Sequence, residues 1–228
     1  MAEKTSVIIV AAGEGRRFGA EKQEAVLRDR PVVEWSLLAF EQHEEIDEII
    51  LVLRNVANEG EYSKRYKKVS AAVKGGEKRR DSVRAGFRCL GLSPGGVVLV
   101  HDGVRPLVKK DLISDVIRLT KEKGAAVPVI PVSDTVKRVR ENRIMNTEDR
   151  AELFRAQTPQ GFQYEILKEA LTVSDRPVLS GVDEAYLVER IGKQVYVLQG
   201  DPVNIKITTP VDLQLAEVLL ENDNRFGI

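Results

Sequence analysis

Short apolar runs alternate with amphipathic stretches along most of the chain. Val7–Val10, Glu48–Leu53, Val97–Val100 and Ala125–Val132 each read as a buried strand. Between them, Val32–Phe40, Arg80–Leu90 and Asp111–Lys121 carry helical spacing. In the last of these, Leu112, Ile113, Val116, Ile117 and Leu119 share one face, and Gly124 is placed to cap the end. Strand, helix and strand in repetition predict an α/β fold: a Rossmann-like, mostly parallel sheet with helices on both faces. Ligands of such sheets bind beyond the carboxyl ends of the strands, so chemistry is expected in the loops that follow them.

Ser133–Asn146 departs from this rhythm. Val136, Val139, Ile144 and Met145 are flanked by charges, and Glu141-Asn142 suits a tight turn, which predicts a protruding β-hairpin. An isolated hairpin is marginal in water. The arm, at about 133–155, is therefore expected to lock a homodimer, with a surface ribbon on a monomer as the alternative. Asn204–Thr208 reads as a short strand carrying Lys206 among apolar neighbours, and a phosphate partner is plausible for that Lys. A final helix is expected from Pro210, with Thr209 as its cap. Without repeats, low-complexity tracts or linkers, residues 1–228 read as a single domain.

Charge narrows the function. The chain holds 35 Lys+Arg against 35 Asp+Glu, so the basic footprint of a general nucleic-acid binder is missing. No apolar run approaches the ~18 residues of a membrane span, and the opening Met-Ala-Glu-Lys-Thr-Ser does not suit a signal peptide. The single cysteine, Cys89, precludes an intramolecular disulfide and suits a reducing cytoplasm. It is expected to be an ordinary buried thiol in the helix Arg80–Leu90.

The strand at Val7–Val10 empties into a loop containing Gly13, Gly15 and Gly19, with Arg16, Arg17 and Lys22 among them. Small residues let backbone N–H groups approach phosphate oxygens, and the cations suit a nucleoside triphosphate. The loop is not a dinucleotide fingerprint, because Phe18 stands at the third glycine position, and no segment matches a P-loop. A glycine-rich turn leading to a solvated basic face is the bland alternative.

Gly75-Gly76-Glu77-Lys78-Arg79-Arg80-Asp81-Ser82-Val83 is a second glycine turn leading into a helix, where a base can rest on the Gly-Gly backbone and meet Ser82. It reads equally as a helix cap. In Val100-His101-Asp102-Gly103-Val104-Arg105-Pro106, Asp102 at a strand end could hold Mg²⁺, accept a sugar hydroxyl or cap the next element. Arg105 could pair with it, and His101 is read as structural.

These pieces, in this order, resemble the 2-C-methyl-D-erythritol 4-phosphate cytidylyltransferase family of non-mevalonate isoprenoid biosynthesis. Further matches are Pro131–Lys137, Asp149-Arg150, Thr158-Pro159-Gln160, Asp183-Glu184-Ala185 and Asn204–Thr208, so the resemblance runs from Val7 to about Leu219. It implies a nucleotidyltransferase that moves CMP from CTP to the polyol phosphate and releases pyrophosphate, with Mg²⁺ or another divalent cation. By position, Arg17 and Lys22 would stabilise charge on the triphosphate, and Lys206 and the partner's Arg150 would position the acceptor. Ala11, Ala12, Gly13, Gly15, Gly75, Gly76, Glu77, Arg79 and Ser82 would hold the nucleotide. Asp102 and Gly103 would lie near the ribose and metal, and Thr135 and Thr158 near the acceptor.

The sequence departs from the family pattern at Glu21, where proline is common, at Val182, where threonine is usual, and at Gly103-Val104, where an alanine pair is expected. A ribitol 5-phosphate cytidylyltransferase shares the chemistry and stands as the alternative. A nucleotide-sugar glycosyltransferase would usually carry Asp-x-Asp, which the chain lacks.

Overall fold

The computed structural model describes residues 4–13, 25–55, 59–91, 95–173 and 183–221. The chain opens with strand β1 (Thr5–Ala11), a small pair β2 (Val26–Leu27) and β3 (Arg30–Pro31), and helix α1 (Val32–Glu41). Next come β4 (Glu48–Leu53), α2 (Glu59–Arg65), β5 (Val69–Lys74), α3 (Arg79–Phe87), β6 (Val97–Asp102), α4 (Lys110–Lys123) and β7 (Ala125–Pro131). An arm of β8 (Lys137–Arg140) and β9 (Arg143–Thr147) leads to β10 (Phe154–Ala156) and β11 (Gln160–Gln163). Helices α5 (Tyr164–Val173) and α6 (Glu184–Arg190), strand β12 (Tyr196–Gln199) and helix α7 (Pro210–Glu221) complete the described part.

Strands β5, β4, β1 and β6 are parallel neighbours. Antiparallel β11 is inserted between β6 and β7, β10 continues along β7, and β12 pairs parallel to β7. The sheet is therefore mostly parallel, as the apolar runs predict. Each central strand buries both faces with a period of two. Val7, Ile9, Ile49, Leu51, Val97 and Leu99 pack in one cluster, with α1 and α4. Ile8, Ile50, Val52, Val98 and Val100 pack in the other, with Val83 of α3, Leu167 of α5 and Leu187 of α6.

Helix α4 ends where expected: Gly124 adopts φ 91° and its N–H donates to the Thr120 carbonyl at 2.8 Å. Helix α7 is capped as expected, with Asp212 N–H on Thr209 Oγ1 at 3.3 Å and the Asp212 carboxylate accepting from Thr209 N–H at 2.7 Å. The hairpin also forms, turning through Glu141 and Asn142 at φ 48° and 60°. Val139, Ile144 and Met145 on it are 58, 65 and 59% exposed.

Two expectations need correction. Helix α3 stops at Phe87, so Cys89 falls in the turn beyond it and is exposed, its Sγ reaching only the Ala85 carbonyl at 3.5 Å. Asn204–Thr208 is not a strand. Its backbone is held instead by Ile207 N–H on the Val104 carbonyl at 2.9 Å, in the loop that follows β6. Ile207 is seated in a third apolar cluster with Trp35, Leu107 and Leu220, which fixes the backbone on which Lys206 stands.

Candidate active site

The ends of β1, β5 and β6 open on the same edge of the sheet, and a cleft of about 340 Å³ lies between them. Ala12, Gly13, Gly75, Gly76, Glu77 and Ser82 line it, with Arg79, Asp102 and Lys206. The Gly75 position must lack a side chain, since a Cβ there would stand 2.2 Å from the Ala12 Cβ and 2.7 Å from Ser82 Oγ. Ser82 Oγ accepts from the Gly76 N–H at 3.2 Å, so the hydroxyl fixes the glycine turn from beneath. Glycine at 103 permits close approach to β1: its N–H donates to the Val10 carbonyl at 2.9 Å, and a Cβ would meet the Ala11 Cβ at 3.0 Å. Ala11 itself is buried.

A second lobe, also about 340 Å³, adjoins the first. Thr158, Gln157, Gln160, Asp183 and Tyr186 line it, and Arg79, Asp102 and Lys206 belong to both lobes. Those shared side chains form one ionic cluster. Asp102 Oδ1 meets Arg79 at 2.6 Å, while Oδ2 meets Lys206 Nζ at 2.7 Å and Arg105 Nε at 3.5 Å. Burial alone would raise the Asp102 carboxyl; Arg79, Lys206 and Arg105 together hold it far below the usual carboxylate range. Arg79 also binds Glu184 at 2.8 Å, tying the start of α6 to the start of α3. Burial opposes the Arg79 charge, but Asp102 and Glu184 outweigh it and raise its pKa.

His101 is wholly buried, and its Nε2–H donates to the Arg105 carbonyl at 3.2 Å. Its Nδ1 therefore accepts from the Thr158 hydroxyl at 3.1 Å, and that same oxygen accepts the Asp102 N–H at 3.1 Å. Burial pushes His101 down to about 3, so the ring is neutral and structural, as read from the sequence.

Of the other expected residues, Gly15, Arg17 and Lys22 lie outside the described residues. Thr135 and Arg150 are exposed near the arm, away from both lobes of their own chain; Arg150 Nη1 donates to the Ser133 carbonyl. Sequence reasoning gives no role to Tyr186, or to the Arg79–Glu184 link. The acidic pair Asp183-Glu184 at the head of a helical pattern is the available signal for the link, because acids there suit a helix N-terminus and a basic partner.

Fold and cleft define an α/β protein of mostly parallel sheet with a glycine-walled cleft at the strand ends and a second polar lobe beside it. Comparison with known proteins agrees. The sequence pattern of the 2-C-methyl-D-erythritol 4-phosphate cytidylyltransferase family matches residues 5–222. The enzyme of that name from Alkaliphilus oremlandii is 42% identical, with 96% of this chain and 95% of the relative covered. That from Bacillus licheniformis is 40% identical, with 96% of each covered. The crystal structure of the Thermus thermophilus enzyme superposes with a TM-score of 0.80 at 31% identity, covering 96% of this chain and 100% of that one. The chain belongs to the 2-C-methyl-D-erythritol 4-phosphate cytidylyltransferase family.

Proposed function

We infer that the protein transfers CMP from CTP to 2-C-methyl-D-erythritol 4-phosphate, releasing pyrophosphate and forming the CDP-methylerythritol intermediate of isoprenoid biosynthesis. The observation that carries this reading is the pair of lobes meeting across Arg79, Asp102 and Lys206. The glycine-walled lobe suits cytidine and its phosphates. The other lobe suits a polyol phosphate, which then lies beside the α-phosphorus.

A phosphate monoester has a second pKa of about 6, so near neutral pH the acceptor is largely a dianion and attacks without a general base. That agrees with a site built of cations and a neutral, buried His101. Catalysis then rests on in-line placement and on stabilising negative charge. Arg17 and Lys22 are assigned to the triphosphate from the sequence alone. Lys206, whose ammonium is 2.7 Å from Asp102 and has further donors, is assigned to the acceptor phosphate. Asp102 is the counter-ion that orients the cations around both substrates.

The donor set argues against a metal ion held by the protein. Both Asp102 oxygens already face cations, and among the described residues no three His, Cys, Asp or Glu side chains gather to hold one. A divalent cation would come with the triphosphate, as its counter-ion. We further propose one domain over 1–228 with the arm as the dimer contact, supported by the exposed apolar side chains of β8 and β9. A cytoplasmic setting is supported by the single cysteine.

The test is pyrophosphate release from CTP with 2-C-methyl-D-erythritol 4-phosphate or ribitol 5-phosphate offered alone. Turnover with the first and little with the second is expected. The reverse result moves the assignment to the ribitol enzyme, and release with neither overturns it.

A further inference from the structure

The polar side chains of the second lobe are nearly all engaged by the protein itself. The Thr158 hydroxyl is spent between His101 and the Asp102 N–H. The Gln157 amide donates to the Asp201 carbonyl at 2.8 Å and accepts the Asp201 N–H at 3.0 Å. The Gln160 amide donates to Asp183 at 2.7 Å and accepts from the Ala185 N–H at 3.3 Å. Arg105 donates to the Asn204 carbonyl at 2.8 Å. Tyr186 differs. It lines the lobe, and its phenol hydroxyl makes no hydrogen bond with any described residue.

Its backbone, by contrast, is fixed. Tyr186 N–H donates to Asp183 Oδ1 at 3.1 Å, Gln160 grips the same carboxylate, and Glu184 is held by Arg79. The half-buried ring packs against the apolar cluster that holds Leu187 and Val188. A phenol on such a support has few rotors left to order, and it can both donate and accept.

We propose that Tyr186 is a specificity-determining residue whose hydroxyl hydrogen-bonds a hydroxyl of the polyol-phosphate acceptor. The inference rests on the cytidylyltransferase reading of the cleft. A polyol hydroxyl is also donor and acceptor, so the two match in either sense. The contact lies away from the reacting phosphorus and holds ground state and transition state alike. It therefore acts on acceptor KM rather than on kcat.

Tyr186→Phe keeps the ring and removes the hydroxyl. Steady-state kinetics are expected to show acceptor KM raised about three- to tenfold, the scale of one lost hydrogen bond, with kcat and the KM for CTP changed by less than about twofold. Circular dichroism and Tm should match the wild type. An acceptor KM that does not move, or a KM for CTP that rises equally, overturns the assignment. The wild type separates the two levels of inference. A wild-type enzyme inactive with every polyol phosphate removes the functional reading, whereas an active wild type that Tyr186→Phe matches in all constants removes only the role of Tyr186.

Discussion

At the scale of single residues, two buried groups both destabilise the fold in acid, each in its own pH window. Burial pushes His101 down to about 3 from the ordinary 6.5. Below pH 6.5 the unfolded chain therefore takes up a proton that the folded chain refuses until about pH 3. Stability must fall as pH drops through that window, by up to about 1.4 kcal/mol per pH unit. His43 adds in the same direction, because burial lowers it too and its Nδ1 accepts the Glu45 N–H at 3.2 Å. Asp102, held ionised by its cations, adds a slope only below about pH 4, where unfolded carboxylates begin to protonate. Urea denaturation between pH 4.5 and 8 should thus show a stability loss below 6.5. His101→Gln, which retains a donor and an acceptor, should be less stable at pH 8 yet flatter across the window. Equal slopes in the two proteins would contradict the burial argument.

At the scale of elements, the turn between β5 and α3 makes the sharpest claim. An alanine at 75 places its Cβ 2.2 Å from that of Ala12 and pushes β1 and the glycine turn apart. Overpacking of this kind costs about 1–3 kcal/mol, so calorimetric titration of Gly75→Ala with CTP should show binding weakened on the order of ten- to a hundredfold. Gly60→Ala is the control, because nothing stands within 4 Å of a Cβ there. Unchanged CTP affinity in Gly75→Ala would remove the turn from the nucleotide site.

The same elements show which parts of the fold are legible in the sequence. β1, β4, β6 and β7 are apolar runs buried on both faces, and the loops after β1, β5 and β6 announce the site through glycine and charge. β11 escapes notice, because its Gln-Gly-Phe-Gln pattern is too short and polar. It is a strand because β6 and β7 flank it, and Gly161 leaves room where a Cβ would lie 2.1 Å from Thr120 Oγ1. β12 escapes it too, because its residues are largely exposed. Conversely, the alternating Asn204–Thr208 looks like a strand but finds no partner, since side-chain pattern alone does not supply a neighbour. The Arg79–Glu184 pair joins residues far apart in the chain, a distance that no local pattern records.

At the scale of the whole molecule, the position of Arg150 is the decisive feature. It lies exposed at the foot of the arm and lines neither lobe of its own chain. If it serves the acceptor, it serves it in the other subunit, carried there by an arm whose Val139, Ile144 and Met145 lack cover in one chain. Mixing Arg150→Ala with Lys22→Ala subunits tests this directly. Each variant alone should be nearly inactive, because each of its sites has one lesion. In a mixed dimer with crossing arms, one site collects both lesions, and the other has its own Lys22 and the partner's Arg150 intact. Random equal mixing makes half the dimers mixed with one working site each, so roughly a quarter of wild-type kcat should return. Were Arg150 to act within its own chain, every site in every dimer would retain a lesion and no activity would return. Recovery near a quarter, lost again when residues 137–147 are replaced by a short glycine-rich turn, would tie the active site to the arm.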